Sequence, residues 1–186
     1  GPTEHKYYIY GSSPNPVAMF TTRSAGASDV QYLHYDNLGS LDLITNEAGG
    51  IEEDLSYDTH GVRRNADWTA SPSVVPSLTA HGFTNQEHLD EFGLIDMKGR
   101  MYDPKIGRFI SADPYITNPL FTENLNRYSY VHNSPTNFID PSGFQELPGS
   151  GFVPVVGAVD YIALEDVVIT ATNVAWTITL PEVVIT

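Results

Sequence analysis

The chain has 186 residues, no cysteine and a formal net charge of −14 at pH 7. This charge argues against a nucleic-acid partner or an anionic membrane surface, since either would repel the chain on average, but it is compatible with a basic partner. The lack of cysteine excludes disulfides, a thiol nucleophile and cysteine-based zinc sites. No apolar run is long enough to span a bilayer, so we expect no membrane partner. We expect any export signal to lie outside this sequence.

The first third of the chain predicts a series of short antiparallel strands. Runs rich in β-branched and aromatic residues are each closed by Gly, Asn or Asp, and they read KYYIYG, VAMFTTR, VQYLHYD, LDLITNEAGG and IEEDLSYDTHG. The segment after Ile44 offers Gly49 and Gly50 for the positive φ angles of a tight turn. We therefore predict a mainly β fold, an antiparallel hairpin meander with few short helical turns.

The remaining segments are less regular. Residues 66–80 contain two prolines and little periodicity, which predicts a loop. The run NQEHLDEFGLI predicts a turn or two of helix ended by Gly93. Residues 145–186 contain no Lys or Arg but hold two near copies of one strand-like phrase, LEDVVIT from Leu164 and LPEVVIT from Leu180. We expect this tail to be β-rich and to self-associate where its strands are unpaired.

A short phrase recurs along the chain. YDNLG begins at Tyr35, YDTHG at Tyr57 and YDPKIG at Tyr102, so that the first two lie about 22 residues apart and the third about two such periods further on. A period of this size is typical of an array of supersecondary units that share a core. A piece of such an array has exposed strand edges, which favours strand-mediated self-association.

Two further phrases, SADPYI and NFIDPSGFQ, place Asp before Pro at Asp113 and Asp140. Each is compatible with a tight turn, because Asp bonds its own backbone and Pro fixes φ. Two carboxylates a few ångströms apart cannot both ionise easily, so one can hold a proton while the other activates water. The sequence leaves both interpretations open.

Three ordered segments resemble the Rhs repeat-associated core domain of bacterial YD-repeat polymorphic toxins. They are YLHYDNLGSLDLITNEAGGIEEDLSYDTHGVRRN, GFTNQEHLDEFGLIDMKGRMYDPKIGRFISADPYI and NLNRYSYVHNSPTNFIDPSGF, and the resemblance extends over about residues 5–144. Such proteins, and the related toxin-complex C components, wind YD repeats into a hollow β cocoon around a C-terminal toxic polypeptide. Their core domain closes the shell as an inward plug. The resemblance implies the same architecture for this chain.

In that family the core also acts as an intramolecular aspartyl protease, which cuts just after the second Asp-Pro motif and frees the variable C-terminal segment. Carried onto this sequence, the resemblance implies Asp113 and Asp140 as the acidic pair and a cut between Phe144 and Gln145. Residues 145–186 then correspond to the start of the variable region. Because the substrate is the same chain, folding itself supplies the proximity.

Several neighbours of this pair are candidates for supporting roles. Arg108 is expected to lower the pKa of one acid and to stabilise a developing oxyanion, although a purely structural ion pair is an alternative. Glu123 is a reserve candidate for the second acid. Pro114 and Pro141 are expected to stiffen the loops, and Gly143 to let the backbone bend beside the cut.

The sequence departs from the commoner family pattern in three places. The first motif reads DPYI and lacks the glycine that many members carry, and the segment between the two motifs is longer by several residues. Phe144 stands where Leu is frequent, a conservative exchange in an apolar subsite. These departures leave the geometry of the acidic pair open.

The resemblance and the composition together divide the chain into five parts: a tag remnant (1–2), YD-repeat hairpins (3–65), a loop (66–80), the core with its autoprotease motif (81–144) and a variable β-rich junction (145–186). Three functions follow as alternatives. They are an autoprotease that releases a toxin segment, a catalytically silent plug or scaffold, and an acidic module that binds a basic immunity or delivery protein.

The six histidines are scattered without HExxH or paired spacing, so we expect no metal site and no cofactor. His132 lies inside the motif region and is a candidate for contact with the site. The expected partners are the chain's own C-terminal segment, the remainder of the shell, and an immunity or secretion-delivery protein. The resemblance implies a secreted or delivered bacterial effector.

Overall fold

The computed structural model describes residues 3–69, 78–115 and 122–148. Within these ranges the chain forms thirteen short strands and three 3-10 turns, the latter at Phe83–Asn85, Thr122–Leu125 and Val131–Asn133. The mainly β fold predicted from the sequence is confirmed. No helix in this part of the chain is long and apolar enough to cross a membrane.

The N-terminal part is a five-stranded antiparallel meander in which each strand pairs with the next. Its strands are β1 (Glu4–Tyr10), β2 (Pro16–Arg23), β3 (Asp29–Tyr35), β4 (Leu41–Asn46) and β5 (Ile51–Asp54). Side chains alternate between the faces, and Met19, Leu33 and Ile44 lie on the buried one. Tyr7 and Tyr32, on the opposite face, are exposed. The predicted hairpin after Ile44 is present between β4 and β5.

The rest of the described chain forms smaller antiparallel units. They are a two-stranded ribbon of β6 (Ser56–Tyr57) and β7 (Arg63–Arg64), a four-stranded sheet of β8 (Glu87–Leu89), β9 (Leu94–Asp96), β10 (Met101–Asp103) and β11 (Arg108–Phe109), and a final pair of β12 (Phe138–Ile139) and β13 (Leu147–Pro148). The final pair encloses residues 140–146, the segment that holds the second Asp-Pro motif.

The predicted turn of helix ended by Gly93 was wrong. The chain forms the β8–β9 hairpin there, with Leu89 directly opposite Leu94. Gly93 has φ +65°, and its backbone N–H donates to the Asp90 carbonyl at 3.3 Å. The apolar pair across the strands outweighs the weak helical periodicity of this acidic segment.

Two apolar clusters hold these elements together. One lies beneath the meander and contains Met19, Leu33, Leu41, Ile44 and Leu55. The other lies around the four-stranded sheet and contains Phe83, Ile95, Met97, Tyr102, Phe109, Tyr130 and Val131. Tyr57 packs against both clusters and so joins the meander to the smaller sheet. Much of the predicted loop over 66–80 and most of the predicted junction over 145–186 lie outside the described residues.

Candidate active site

The second Asp-Pro motif uses the same turn as the first two YD repeats. The Oδ1 atoms of Asp36 and Asp58 each accept the backbone N–H groups of the residues two and four positions later. Asp140 does the same, and its Oδ1 also accepts the N–H of Gln145 at 3.0 Å. The turn therefore holds one oxygen of Asp140 against the amide nitrogen of the Phe144–Gln145 peptide bond.

A single guanidinium brings the two motifs together. Arg100 Nη2 lies 3.0 Å from Asp113 Oδ2 and 3.6 Å from Asp140 Oδ2. The side chain of Asp140 is 4% exposed and that of Asp113 is 15% exposed, so Asp140 is enclosed while Asp113 retains some contact with solvent. Asp113 and Asp140, called the acidic pair below, thus share one buried cation.

Arg100 is held from several sides. Its Nε donates to the Gly143 carbonyl and its Nη1 to the Arg127 carbonyl at 3.1 Å. Its guanidinium carbon lies 3.6 Å from the ring centroid of Phe109, a cation–π contact in the core. The planar fork of Arg can satisfy all of these acceptors together, which the ammonium of Lys cannot.

The loop that carries Asp113 is fixed by Arg127. The N–H of Asp113 donates to the Arg127 carbonyl at 2.8 Å, and Arg127 Nε donates back to the Asp113 carbonyl. Asp113 Oδ1 accepts the N–H of Tyr115 at 2.8 Å. Its other oxygen, Oδ2, is therefore the one directed at Arg100.

The backbone beside the expected cut passes very close to the β9–β10 turn. Gly143 has φ +75°, and a Cβ on it would lie 2.4 Å from the Met97 carbonyl oxygen. A Cβ on Gly99 would lie 2.2 Å from the Phe144 ring, and the Gly99 N–H donates to the Ser142 carbonyl at 3.0 Å. Both positions require glycine.

Burial and local charge set the titration of the site. Burial raises the pKa of Asp140 above its ordinary value, and the Gln145 N–H and Arg100 offset this only in part. Burial also lowers the pKa of Arg100, against the attraction of Asp113, Asp140 and Glu146. Burial therefore disfavours the charged form of Asp140 and favours its protonated form.

Arg108, the basic residue expected at the site, lies elsewhere. It is in β11 opposite Asp103 and bridges to Ser129, and no hydrogen bond or ion pair in the described part of the chain joins its guanidinium to Asp113 or Asp140. The cation between the two acids is Arg100, which sequence reasoning missed. Both arginines precede Asp113 in the same segment, and no spacing rule separates them.

The other predicted site residues are placed as follows. Phe144 is 36% exposed, and its ring meets that of Tyr115 edge to face at 6.2 Å. Pro141 lies in the Asp140 turn, and Pro114 follows Asp113 at the surface. Glu123 lies in the 3-10 turn Thr122–Leu125, and its side chain is outside the described residues.

His132 contacts the segment beyond the expected cut. Its Nε2 lies 2.6 Å from Glu146 Oε1, one residue after Gln145. Two residues before Phe144, the hydroxyl of Ser142 donates to Asp140 Oδ1 at 3.2 Å. Within the described ranges there is no group of three or more His, Asp or Glu side chains that could hold a metal ion.

Several known proteins are similar to this chain in sequence or in fold. No family model matches the chain. Toxin subunit YenC1 of Yersinia entomophaga is 34% identical over 118 residues, which are 63% of this chain and 11% of YenC1. The tRNA nuclease WapA of Bacillus subtilis strain 168 is 27% identical over 138 residues, which are 74% of this chain and 6% of WapA.

A solved structure of TcdB2-TccC3 has a TM-score of 0.53 and 26% sequence identity to this chain, and the match covers 68% of this chain and 6% of that one. The chain is thus similar in sequence to a Yersinia toxin subunit and similar in fold to TcdB2-TccC3 over the matched region, which is consistent with the Rhs/YD-repeat toxin family. It spans only a small part of the length of these relatives. Within the acidic pair, Asp140 is built on the same Asp turn as Asp36 and Asp58 in the repeats.

Proposed function

We propose that this Rhs core cuts its own backbone between Phe144 and Gln145 by aspartyl-protease chemistry. The observation that carries the proposal is the position of the acidic pair, with one buried guanidinium between Asp113 and Asp140, and with Asp140 Oδ1 on the Gln145 N–H at 3.0 Å. A catalytic acid must lie within hydrogen-bond distance of the atom that it protonates, and Asp140 Oδ1 lies 3.0 Å from the leaving nitrogen.

The reaction is a hydrolysis. Asp113, the more accessible acid, takes a proton from a water molecule whose oxygen bonds to the carbonyl carbon of Phe144. Asp140, as the carboxylic acid, gives its proton to the nitrogen of Gln145 as the carbon–nitrogen bond breaks. Phe144 is left with a carboxyl group and Gln145 with a free amine, and a proton passing from Asp113 to Asp140 restores the pair.

Arg100 positions the two acids and the backbone next to the bond that is cut. Its contacts with Asp113 and Asp140 fix the two carboxylates, and its bond to the Gly143 carbonyl fixes the residue before Phe144. Its positive charge beside this loop favours the negative charge that develops on the attacked carbonyl oxygen. The supporting role predicted for Arg108 is therefore proposed for Arg100 instead.

The cut would break the covalent link between Phe144 and the chain that follows it, so that only non-covalent contacts would hold that chain. Relatives of this core carry the names of a toxin subunit and of a tRNA nuclease, which supports a shared core ahead of differing activities. The proposed partners are the chain's own C-terminal toxin segment, the remaining β shell, and an immunity or secretion-delivery protein. The proposed location is that of a delivered bacterial effector.

The experiment is a time course of intact mass on freshly synthesised chain. Wild type is compared with Asp113→Asn and Asp140→Asn, in which the shape stays and the acid is removed. We expect first-order cutting whose rate does not depend on protein concentration, and no cutting in either variant. An uncut wild type would leave the alternative of a catalytically silent plug.

A further inference from the structure

Gln86 is a buried polar side chain that reaches the Asp140 turn from another part of the chain. It is 3% exposed, and its amide nitrogen lies 3.3 Å from the Asp140 carbonyl oxygen and 3.2 Å from that of Pro141. An amide nitrogen carries two hydrogens, so one side chain can serve both carbonyls. These contacts span 54 and 55 residues of sequence.

The backbone before Gln86 adopts an unusual conformation. Thr84 and Asn85 have φ +47° and +56°, in the left-handed region that β-branched residues seldom adopt. The Thr84 N–H is held by Ser40 Oγ at 3.1 Å, next to the start of β4. The meander therefore supports the turn that directs Gln86 at the acidic pair, and strain of this kind is found at functional sites.

The two carbonyls that Gln86 fixes are part of the unit that carries the acid. Asp140 uses Oδ1 for the Gln145 N–H and directs Oδ2 at Arg100. A rotation of the peptide groups around Pro141 would turn the carboxylate away from one of these partners. Hydrogen bonds that fix the backbone of this turn therefore also fix the position of the Asp140 carboxylate.

We propose that Gln86 is a positioning residue for cutting at Phe144–Gln145. This role rests on the proposed function. In addition, the meander holds the Asp140 turn in its reactive geometry through the left-handed turn before Gln86. Gln86 does not contact the bond that breaks. It acts through the main chain of Asp140 and Pro141.

Lys98 provides a matched control. Its Nζ also donates to the Pro141 carbonyl, at 3.1 Å, but from the surface, and it makes no described contact with the Asp140 carbonyl. Gln86→Met removes the two buried hydrogen bonds and keeps an unbranched side chain. Lys98→Met removes one exposed bond to the same turn. A loss confined to Gln86→Met would assign the effect to the buried anchor.

Gln86→Glu makes the cutting rate depend on pH in a way that a purely structural role of Gln86 would not. As a carboxylate it has no hydrogen to give and repels the two carbonyls, whereas as a carboxylic acid it donates one hydrogen bond. A buried Glu is protonated at higher pH than an exposed one. The ratio of its cutting rate to that of wild type should therefore rise as the pH is lowered from 8 to 5.5.

The test uses the whole chain, made by cell-free synthesis and chased at both pH values, with the uncut fraction measured by mass. We expect Gln86→Met to slow cutting about 10- to 100-fold, and Lys98→Met to stay within about twofold of wild type. If Gln86→Met does not fold, the change with pH in the cutting rate of Gln86→Glu relative to wild type tests the inference. Wild-type cutting in Gln86→Met, or a Gln86→Glu rate ratio that does not change with pH, would overturn the inference. An uncut wild type would instead refute the proposed function.

Discussion

The carboxylate of Asp140 accepts the backbone N–H of Gln145 at 3.0 Å. The same oxygen accepts the N–H of Phe144 at 3.1 Å, so the Asp turn and the expected leaving nitrogen share one acceptor. Aspartate closes structural turns in the repeats, and here the same kind of turn places the Asp140 carboxylate against the bond that the proposed reaction breaks.

Removal of either acid should stop cutting. Asp113→Asn and Asp140→Asn each delete a proton-transfer group, which typically contributes about 10²- to 10⁴-fold to a rate. Asp103→Asn is the matched control, because Asp103 also precedes a proline and its Oδ1 also accepts the N–H two residues later. Asp103→Asn should cut at the wild-type rate in the intact-mass time course. Equal loss in all three variants would point to a general folding effect.

Arg100 should matter more than Arg108. Arg100→Met leaves two carboxylates without their shared cation, and breaking a buried pair in this way costs about 3–5 kcal/mol. We expect a lower urea midpoint and no cutting. Arg108→Met should retain cutting, since its guanidinium is joined to neither acid among the described contacts. Retained cutting in Arg100→Met, or its loss in Arg108→Met alone, would refute this assignment.

Gly143 should tolerate no side chain. Gly143→Ala adds a Cβ at 2.4 Å from the Met97 carbonyl oxygen in a residue with φ +75°. Gly49 is the control, since it has φ +78° and open space around its Cβ position. Gly49→Ala should cost only the left-handed strain, about 1 kcal/mol, and Gly143→Ala at least twice as much. Denaturant unfolding in an Asp113→Asn background compares the two, and equal costs would argue against the close packing.

Acid should destabilise the fold through His88. Its Nε2 accepts the Phe83 N–H at 3.0 Å, and burial lowers its pKa well below the usual value, with Arg63 and His81 adding to the effect. Asp90, the acid nearest its other ring nitrogen, lies 4.0 Å from Nδ1.

The folded state therefore disfavours protonated His88, and the unfolded chain binds the extra proton as pH falls below about 6.5. Stability from this group is complete above that pH and is lost below it, by at most about 1.4 kcal/mol per pH unit. Unfolding between pH 7 and 5 should lose this slope in His88→Phe and keep it in His34→Gln, an exposed control. An unchanged slope in His88→Phe would contradict the assignment.

The segment beyond the cut should stay attached through His132. The His132–Glu146 contact and the β12–β13 pair both act across the Phe144–Gln145 bond and survive its hydrolysis. An exposed ion pair contributes about 0.2–1 kcal/mol, so His132→Ala should speed release of the cut segment by at most about fivefold. His5→Ala, on an exposed strand, is the control in a dilution and gel-filtration assay. Equal release from both would remove His132 from this role.

Local patterns were sufficient to predict much of the fold. The β-branched runs and the Gly49–Gly50 turn gave the meander, because both signals act over a few residues. The segment around Gly93 could not be predicted correctly, since the pairing of Leu89 with Leu94 depends on the hairpin as a whole. The Asp residues of the repeats indicated turns for the same local reason, because an Asp side chain bonds the backbone a few residues further on.

The sequence predicted the two acids of the candidate site but not the residues that hold them. Asp113 and Asp140 followed from the resemblance, but Arg100 lies in the β9–β10 turn and Arg108 in β11, and only the packed sheet shows which of them reaches the acids. Gln86 reaches its partners across more than fifty residues, and nothing in its neighbourhood in sequence marks that contact. Long-range placement is the information that single-sequence patterns lack.

The identity of the new N-terminus distinguishes cutting by the acidic pair from other breaks, and it is read from the masses of both fragments of wild type beside Asp113→Asn. Chemical cleavage at an Asp-Pro bond would start a fragment at Pro104, Pro114 or Pro141. Cutting by the acidic pair should give a fragment that starts at Gln145, and none from Asp113→Asn under the same conditions. A fragment that starts at a proline, or one at Gln145 that persists in Asp113→Asn, would contradict it.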